Sequence, residues 1–226
     1  SGDGVIQLLL DFWPISAVVP QQDDVIELGG GFNSVYPLMG QTMALTEDAS
    51  RLFVCTTQGA VFVYDNPLAG GERGPDLKLT PSGAPDERYL PEDIYYDHVR
   101  DILYVHSSLG GERYDAWHDA SSIAANRPAD RTLDVDDIGL PGAFTGDPAA
   151  DRLFLASADR VLVIDNASTA PSDVEFDADR RIDVDIDQRM GQGVAYDPIR
   201  DRLYIGARET ILDEDCQLVV IDNAST

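Results

Sequence analysis

Apolar residues along this chain fall in short runs, each closed within a few positions by Asp, Asn, Gly, Pro or Ser. Val61-Phe62-Val63-Tyr64, Val161-Leu162-Val163-Ile164 and Leu218-Val219-Val220-Ile221 are apolar at every position. Arg131-Thr132-Leu133-Asp134-Val135 and Arg181-Ile182-Asp183-Val184-Asp185 alternate instead. Continuous runs predict strands covered on both faces, and alternating runs predict strands with one wet face. No stretch keeps the period of an amphipathic helix over a helix's length. The pattern therefore predicts an all-β fold, with turn signals about ten residues apart.

The runs recur as a unit. Ser50-Arg51-Leu52-Phe53, Asp101-Ile102-Leu103-Tyr104, Asp151-Arg152-Leu153-Phe154 and Asp201-Arg202-Leu203-Tyr204 share one core, and their leucines lie 51, 50 and 50 residues apart. A further Asp stands four residues before three of these cores, at Asp97, Asp147 and Asp197. Asp165–Thr169 and Asp222–Thr226 both read Asp-Asn-Ala-Ser-Thr, while the second copy is degenerate over Trp117–Ser122. One unit reads as four strands: A (Gly193–Tyr196), a turn over Asp197–Asp201, B (Arg202–Ala207), a hairpin loop of variable length, C (Leu218–Asp222), then an alternating strand D. A four-stranded unit repeated at this period predicts a β-propeller. Complete blades are expected over 38–79, 93–135 and 143–186. Residues 1–28 would supply strands C and D of a preceding or closing blade, and 193–226 strands A to C of the last. The chain is then either a segment of a larger propeller or a four-bladed ring whose last strand D is Asp24–Leu28. Open blade edges could instead pair with another chain.

Charge narrows the choice of partner. The 226 residues include 41 acidic and 16 basic side chains, a net charge of −25. Such a surface repels phosphate, which argues against nucleic acid and against anionic membranes. Proteins and small neutral or cationic ligands fit it better. A hydrophobic content of 43 % is enough for a packed core. No apolar run approaches the ~18 residues of a membrane-spanning helix. Cys55 and Cys216 occupy different repeat positions, so the repeat gives no support to a disulfide between them.

The pattern Tyr196-Asp197-Pro198-x-Arg200-Asp201-Arg202-Leu203-Tyr204, followed by Leu218–Thr226, resembles the repeat of bacterial extracytoplasmic propellers of the NHL/YVTN type. The resemblance covers residues 24–226, strongly in the third and fourth copies and weakly in the second. It implies a propeller outside the cytoplasm, whether secreted, periplasmic or an outer-membrane lipoprotein, whose repeat residues are structural. The expected role is that of a non-catalytic binding or scaffold module. The alternatives are an enzyme of the lactonase or lyase kind, with its site at the channel mouth, and an assembly subunit pairing through open blade edges.

The chemistry-bearing residues are few. The Asp-Asn-Ala-Ser-Thr segments read as turns, because all their polar side chains bond readily to nearby backbone. Asp183, Asp185 and Asp187 share one face of a strand, where they read as a solvated surface. Calcium is the alternative there, although Gln188 and Val194 stand where an EF-hand loop needs Gly and Glu. No other cofactor is expected. His98, His106 and His118 all fall in the second copy, at spacings that set no metal site. No nucleophile elbow or nucleotide-binding glycine loop occurs. A binding site is therefore expected where the D–A and B–C loops gather. The least repeat-like residues there are Asn33, Tyr36, Arg88, Glu92, Phe144, Arg189, Gln192, Arg208 and Glu209.

Overall fold

The computed structural model describes residues 43–56, 59–69, 74–81, 89–107, 113–135, 141–157, 159–172, 175–184, 189–208 and 216–226, with backbone alone at 141–142, 189–192, 207–208 and 216–217. The expected strands at 1–28, together with Asn33, Tyr36, Arg88, Asp185, Asp187 and Glu209, lie outside the described residues.

The protein is all-β. The first sheet holds β1 (Met43–Leu45), β2 (Arg51–Thr56), β3 (Ala60–Asp65) and β4 (Leu77–Leu79) as an antiparallel meander. The second repeats that order with β5 (Pro91–Asp97), β6 (Ile102–Ser107), β7 (Arg113–His118) and β8 (Arg131–Val135). The third comprises β9 (Pro141–Asp147), β10 (Arg152–Ser157), β11 (Arg160–Asp165) and β13 (Arg180–Asp183). Before β13 the chain makes the short β12 (Glu175–Phe176), which pairs in parallel with β8 of the second sheet and so ties the two sheets together. In the last sheet β14 (Arg189–Asp197), β15 (Arg202–Arg208) and β16 (Cys216–Asp222) form three antiparallel strands.

The core lies between sheets, which explains the doubly apolar strands. Leu103 and Val105 face the first sheet, meeting Phe53, Cys55, Val61 and Val63. Tyr104 on the opposite face of β6 meets Leu153, Leu155 and Phe144 of the third sheet. The third and fourth sheets meet through Phe154, Val163, Leu203 and Ile205. Each such side chain contributes about 1.5–3 kcal/mol by leaving water.

The recurring polar residues hold the turns. Asp97 Oδ1 accepts from the amides of Val99 (2.9 Å) and Arg100 (3.0 Å), and Asp197 does the same for Ile199 (2.9 Å) and Arg200 (3.2 Å). The next Asp, at 101, 151 and 201, takes a left-handed φ of 51–55°, which Asp tolerates better than most residues. Its carboxylate clamps the turn after strand C. Ser121, Ser168 and Ser225 each donate a backbone N–H and a hydroxyl to it, at 2.6–3.0 Å. The turn itself starts at a left-handed Asn or Asp (Asn66, Asp119, Asn166, Asn223) and is a single 3-10 turn in the first three copies. Arg51, Arg152 and Arg202 pair with Asp65, Asp165 and Asp222 at the end of strand C.

Arginines also bridge consecutive sheets. Arg51 Nη1 donates to the carbonyls of Ala120 (3.0 Å) and Ile123 (2.8 Å). Arg131 donates to Ala167, Ser168 and Ala170, and Arg180 to Ala224 (3.5 Å). Each sheet thus grips the carbonyls of the next sheet's turn, which satisfies groups that a short 3-10 segment leaves free.

Candidate functional site

The end of the sheets opposite the clamped turns carries the residues that depart from the repeat. His106 occupies the place held by Cys55, Ala156 and Gly206. Asp115 stands where the other copies have Phe62, Leu162 and Val219. Asp93 replaces Ala143 and Gly193. All three are buried, with exposures of 0 %, 0 % and 1 %. The second sheet has exchanged small or apolar core residues for polar ones, on both of its faces.

Towards the third sheet stand Asp93, His106 and Glu92. Asp93 and His106 are directly opposite in the ladder, and the register shifts beside them, leaving Glu92 in a bulge between Pro91 and Asp93. Bulges re-aim a side chain out of the pleat, and Glu92 Oε2 lies 4.0 Å from His106 Nδ1. Asp93 Oδ2 accepts the amide of Phe144 at 2.6 Å, joining the second and third sheets, while its Oδ1 accepts the amide of Ile94 at 2.9 Å. The imidazole packs against Tyr114 at 5.0 Å between centroids, and Tyr114 meets Phe144 edge-on at 5.0 Å. Among the described residues neither ring nitrogen of His106 has a hydrogen-bond partner. Burial favours the neutral ring and pushes its pKa down to about 4.

Towards the first sheet stand Asp115, Arg113, Ser107, Tyr89 and Cys55. Asp115 Oδ1 accepts from Thr132 Oγ1 at 2.8 Å, and its Oδ2 lies 3.6 Å from Arg113 Nε. The hydroxyls of Tyr89 and Ser107 are buried without a hydrogen-bond partner among the described residues. Burial, and then the charge of Asp115, holds the Tyr89 phenol well above its ordinary range. Burial, followed by the charges of Asp93 and Glu92, does the same to the Cys55 thiol. Cys55 is therefore a protonated, buried thiol, and it is free.

Two residues expected from sequence belong to this cluster. Glu92 does so through its carboxylate. Phe144 does so through its backbone amide, because its ring is fully buried in the core between sheets and presents no surface to a ligand. Arg189 and Arg208 pair directly in the ladder of the last sheet, with Gln192 nearby on the same strand, all remote in sequence from the cluster. Asp183 is an exposed strand residue, paired with Arg181 Nε at 2.7 Å. Among the described residues no group of three or more His, Cys, Asp or Glu side chains is arranged to hold a metal ion, and no helix is long and apolar enough to cross a membrane.

Asp93 and Asp115 were not expected from sequence. The available signal was their polarity at positions that are small or apolar in the other copies, a comparison that needs strand register as well as repeat alignment.

No protein-family model matches the chain, and no curated protein matches it at a significant level.

Proposed function

We propose that the chain is a β-propeller or a propeller segment, of the extracytoplasmic NHL/YVTN kind, that acts as a non-catalytic binding or scaffold module. Its ligand is a small neutral or cationic molecule held at the loop end of the second sheet. The observation that carries this reading is the replacement of core residues by His106, Asp93 and Asp115 in one repeat alone. Buried polar groups without full hydrogen bonding cost stability. Places where a repeat breaks its own packing rule are where function is to be sought. The recurring carboxylates are engaged in turns and ion pairs in every copy that carries them. On the face towards the third sheet, the carboxylates of Glu92 and Asp93 stand beside the neutral His106, which favours an amine or a polyol over an anion.

A thermal-shift screen of amines, amino acids and neutral sugars tests the reading. A ligand present at 100 times its dissociation constant adds about 2.7 kcal/mol, or roughly 5–10 °C for a chain of this length. The shift should vanish in His106→Leu. Absence of any shift across the screen, or turnover of a lactone or a lyase substrate by the purified protein, would overturn it. Secretion or periplasmic fractionation of the expressed full-length gene product tests its location.

A further inference from the structure

The face of the second sheet that looks towards the first holds its own set of polar groups, on the opposite side from His106. Asp115, Ser107, Tyr89 and Cys55 are at most 1 % exposed. The ladder sets Ser107 opposite Arg113 and Asp115 opposite Val105, so these side chains share one face. Tyr89 packs in the same seam with Cys55, Val61 and Leu79. Its phenol is close enough to Asp115 and Arg113 to feel both charges. Arg113 reaches water, with 34 % of its side chain exposed, and marks the mouth of the seam.

The hydroxyls in this seam are left open where the fold offers a way to close them. Thr56, the counterpart of Ser107 in the first copy, donates its hydroxyl to the Ala60 carbonyl across the hairpin at 2.7 Å. Ser107 makes no such bond. Among the described residues its hydroxyl and that of Tyr89 both lack a partner, a costly state for buried polar groups. They share the seam with Asp115, which replaces Phe62, Leu162 and Val219 of the other copies.

The donors and acceptors define a ligand class. A carboxylate only accepts, a guanidinium only donates, and the two hydroxyls do either. Asp115 Oδ2 lies 3.6 Å from Arg113 Nε, so the pair is balanced in charge. A charged ligand would add an unbalanced charge to a buried place, at a high desolvation cost. A neutral molecule with adjacent hydroxyls avoids that cost. Its two O–H groups donate to the carboxylate while their lone pairs accept from the groups around it.

We infer that the seam between the first and second sheets binds a small neutral vicinal diol, with Asp115 accepting from its hydroxyls and Ser107, Tyr89 and Arg113 donating to them. The ligand proposed beside His106 lies on the other face of the sheet, and this inference does not rest on it.

The test titrates glycerol into the full 226-residue protein, isotope-labelled at the tyrosine Cζ, with the Tyr89 signal assigned by its loss in Tyr89→Phe. A saturable shift of that signal is expected, with a midpoint in roughly the millimolar range that so small a ligand can reach. Trimethylene glycol, which lacks the central hydroxyl, should bind about tenfold more weakly or worse. Ser107→Ala removes a hydroxyl that holds nothing in the fold, and it should weaken glycerol by a similar factor. Asp115→Asn, which keeps the side chain's shape, should do the same. A shift that grows without saturating, equal binding of the two diols, or unchanged affinity in Ser107→Ala would each overturn the inference. So would saturation by glycine with none by glycerol, since a zwitterion would then be the occupant. The ring signals of His106 report the opposite face, so failure of one site is read separately from failure of the other.

Discussion

Replacing Asp151 tests whether the recurring carboxylate is the clamp of each repeat. Asp151 is 9 % exposed and sits at φ 55°. Its Oδ1 accepts the Ser168 amide at 3.0 Å, and its Oδ2 accepts the Ser168 hydroxyl at 2.6 Å. Arg100 Nε of the second sheet lies 3.3 Å from the same carboxylate. Asp151→Ala removes two bonds to a charged acceptor, each worth about 1.5–3 kcal/mol at such a site. It also leaves Ala in a left-handed conformation, at a cost of about 1 kcal/mol. Some of the loss is recovered by water at this partly open turn, so the expected destabilisation is about 3–5 kcal/mol, or roughly 10 °C in Tm. Asn keeps both the left-handed tolerance and one acceptor, so Asp151→Asn should lose only about 1–2 kcal/mol. Ser168→Ala should cost about 1 kcal/mol alone and almost nothing in the Asp151→Ala background, because the two residues share one interaction. Urea denaturation of the four proteins gives the cycle. The first repeat supplies a natural precedent: Ser50 and Leu68 stand in the Asp and Ser positions, and both partners are missing together. A loss under about 0.5 kcal/mol for Asp151→Ala, the range of ordinary surface changes, would refute the clamp.

Two further outcomes follow from the same structure. Gly146 stands where the second and fourth repeats have Tyr96 and Tyr196, because the Tyr95 ring fills that space; a Cβ there would lie 2.5 Å from Tyr95 Cε1. Gly146→Ala should therefore destabilise by about 1–3 kcal/mol through overpacking, and Tyr95→Leu should relieve most of that in a thermal melt of the double variant. The pH dependence of stability carries the signature of His106. Its folded pKa, about 4, lies below the 6.5 of the unfolded chain, so the unfolded state binds the proton first. Stability from this group is complete above pH 6.5 and falls as the pH drops towards 4, by about 3 kcal/mol in all. Subtracting the profile of His106→Leu from that of the wild type should isolate this slope in denaturant titrations between pH 4 and 7.

The repeat was legible because its chemistry is local. A left-handed Asp, an Asx-type turn and an all-apolar strand each leave a mark within a few residues, and repetition at a fixed period multiplies the mark. Strands β2, β3, β10, β11 and β15 follow directly from their apolar runs. The role of Ser168 and Ser225 was not legible in the same way. Their partner carboxylates lie 17 and 24 residues upstream, so the motif reads as a self-contained turn when it is one half of a clamp. The parallel strand β12 leaves no signal, since its two residues have no pattern of their own. The site was harder still. Asp115 and Asp93 look like surface aspartates in a chain rich in them, and only the register against Val105 and His106 places them inside. Phe144, singled out for departing from the repeat, departs from it to fill the core against Tyr114.

The central claim is that the recurring polar residues build the repeat while the polar cluster of the second sheet burdens it for the sake of a ligand. The unfolding free energy of His106→Leu at pH 7 tests this most directly. The imidazole is fully buried, and among the described residues both nitrogens lack a hydrogen bond; an apolar side chain of similar size removes that penalty of about 1–3 kcal/mol. The account predicts a variant at least as stable as the wild type, with ligand binding lost. A destabilisation as large as that expected for Asp151→Ala would contradict it, and would make His106 another part of the architecture.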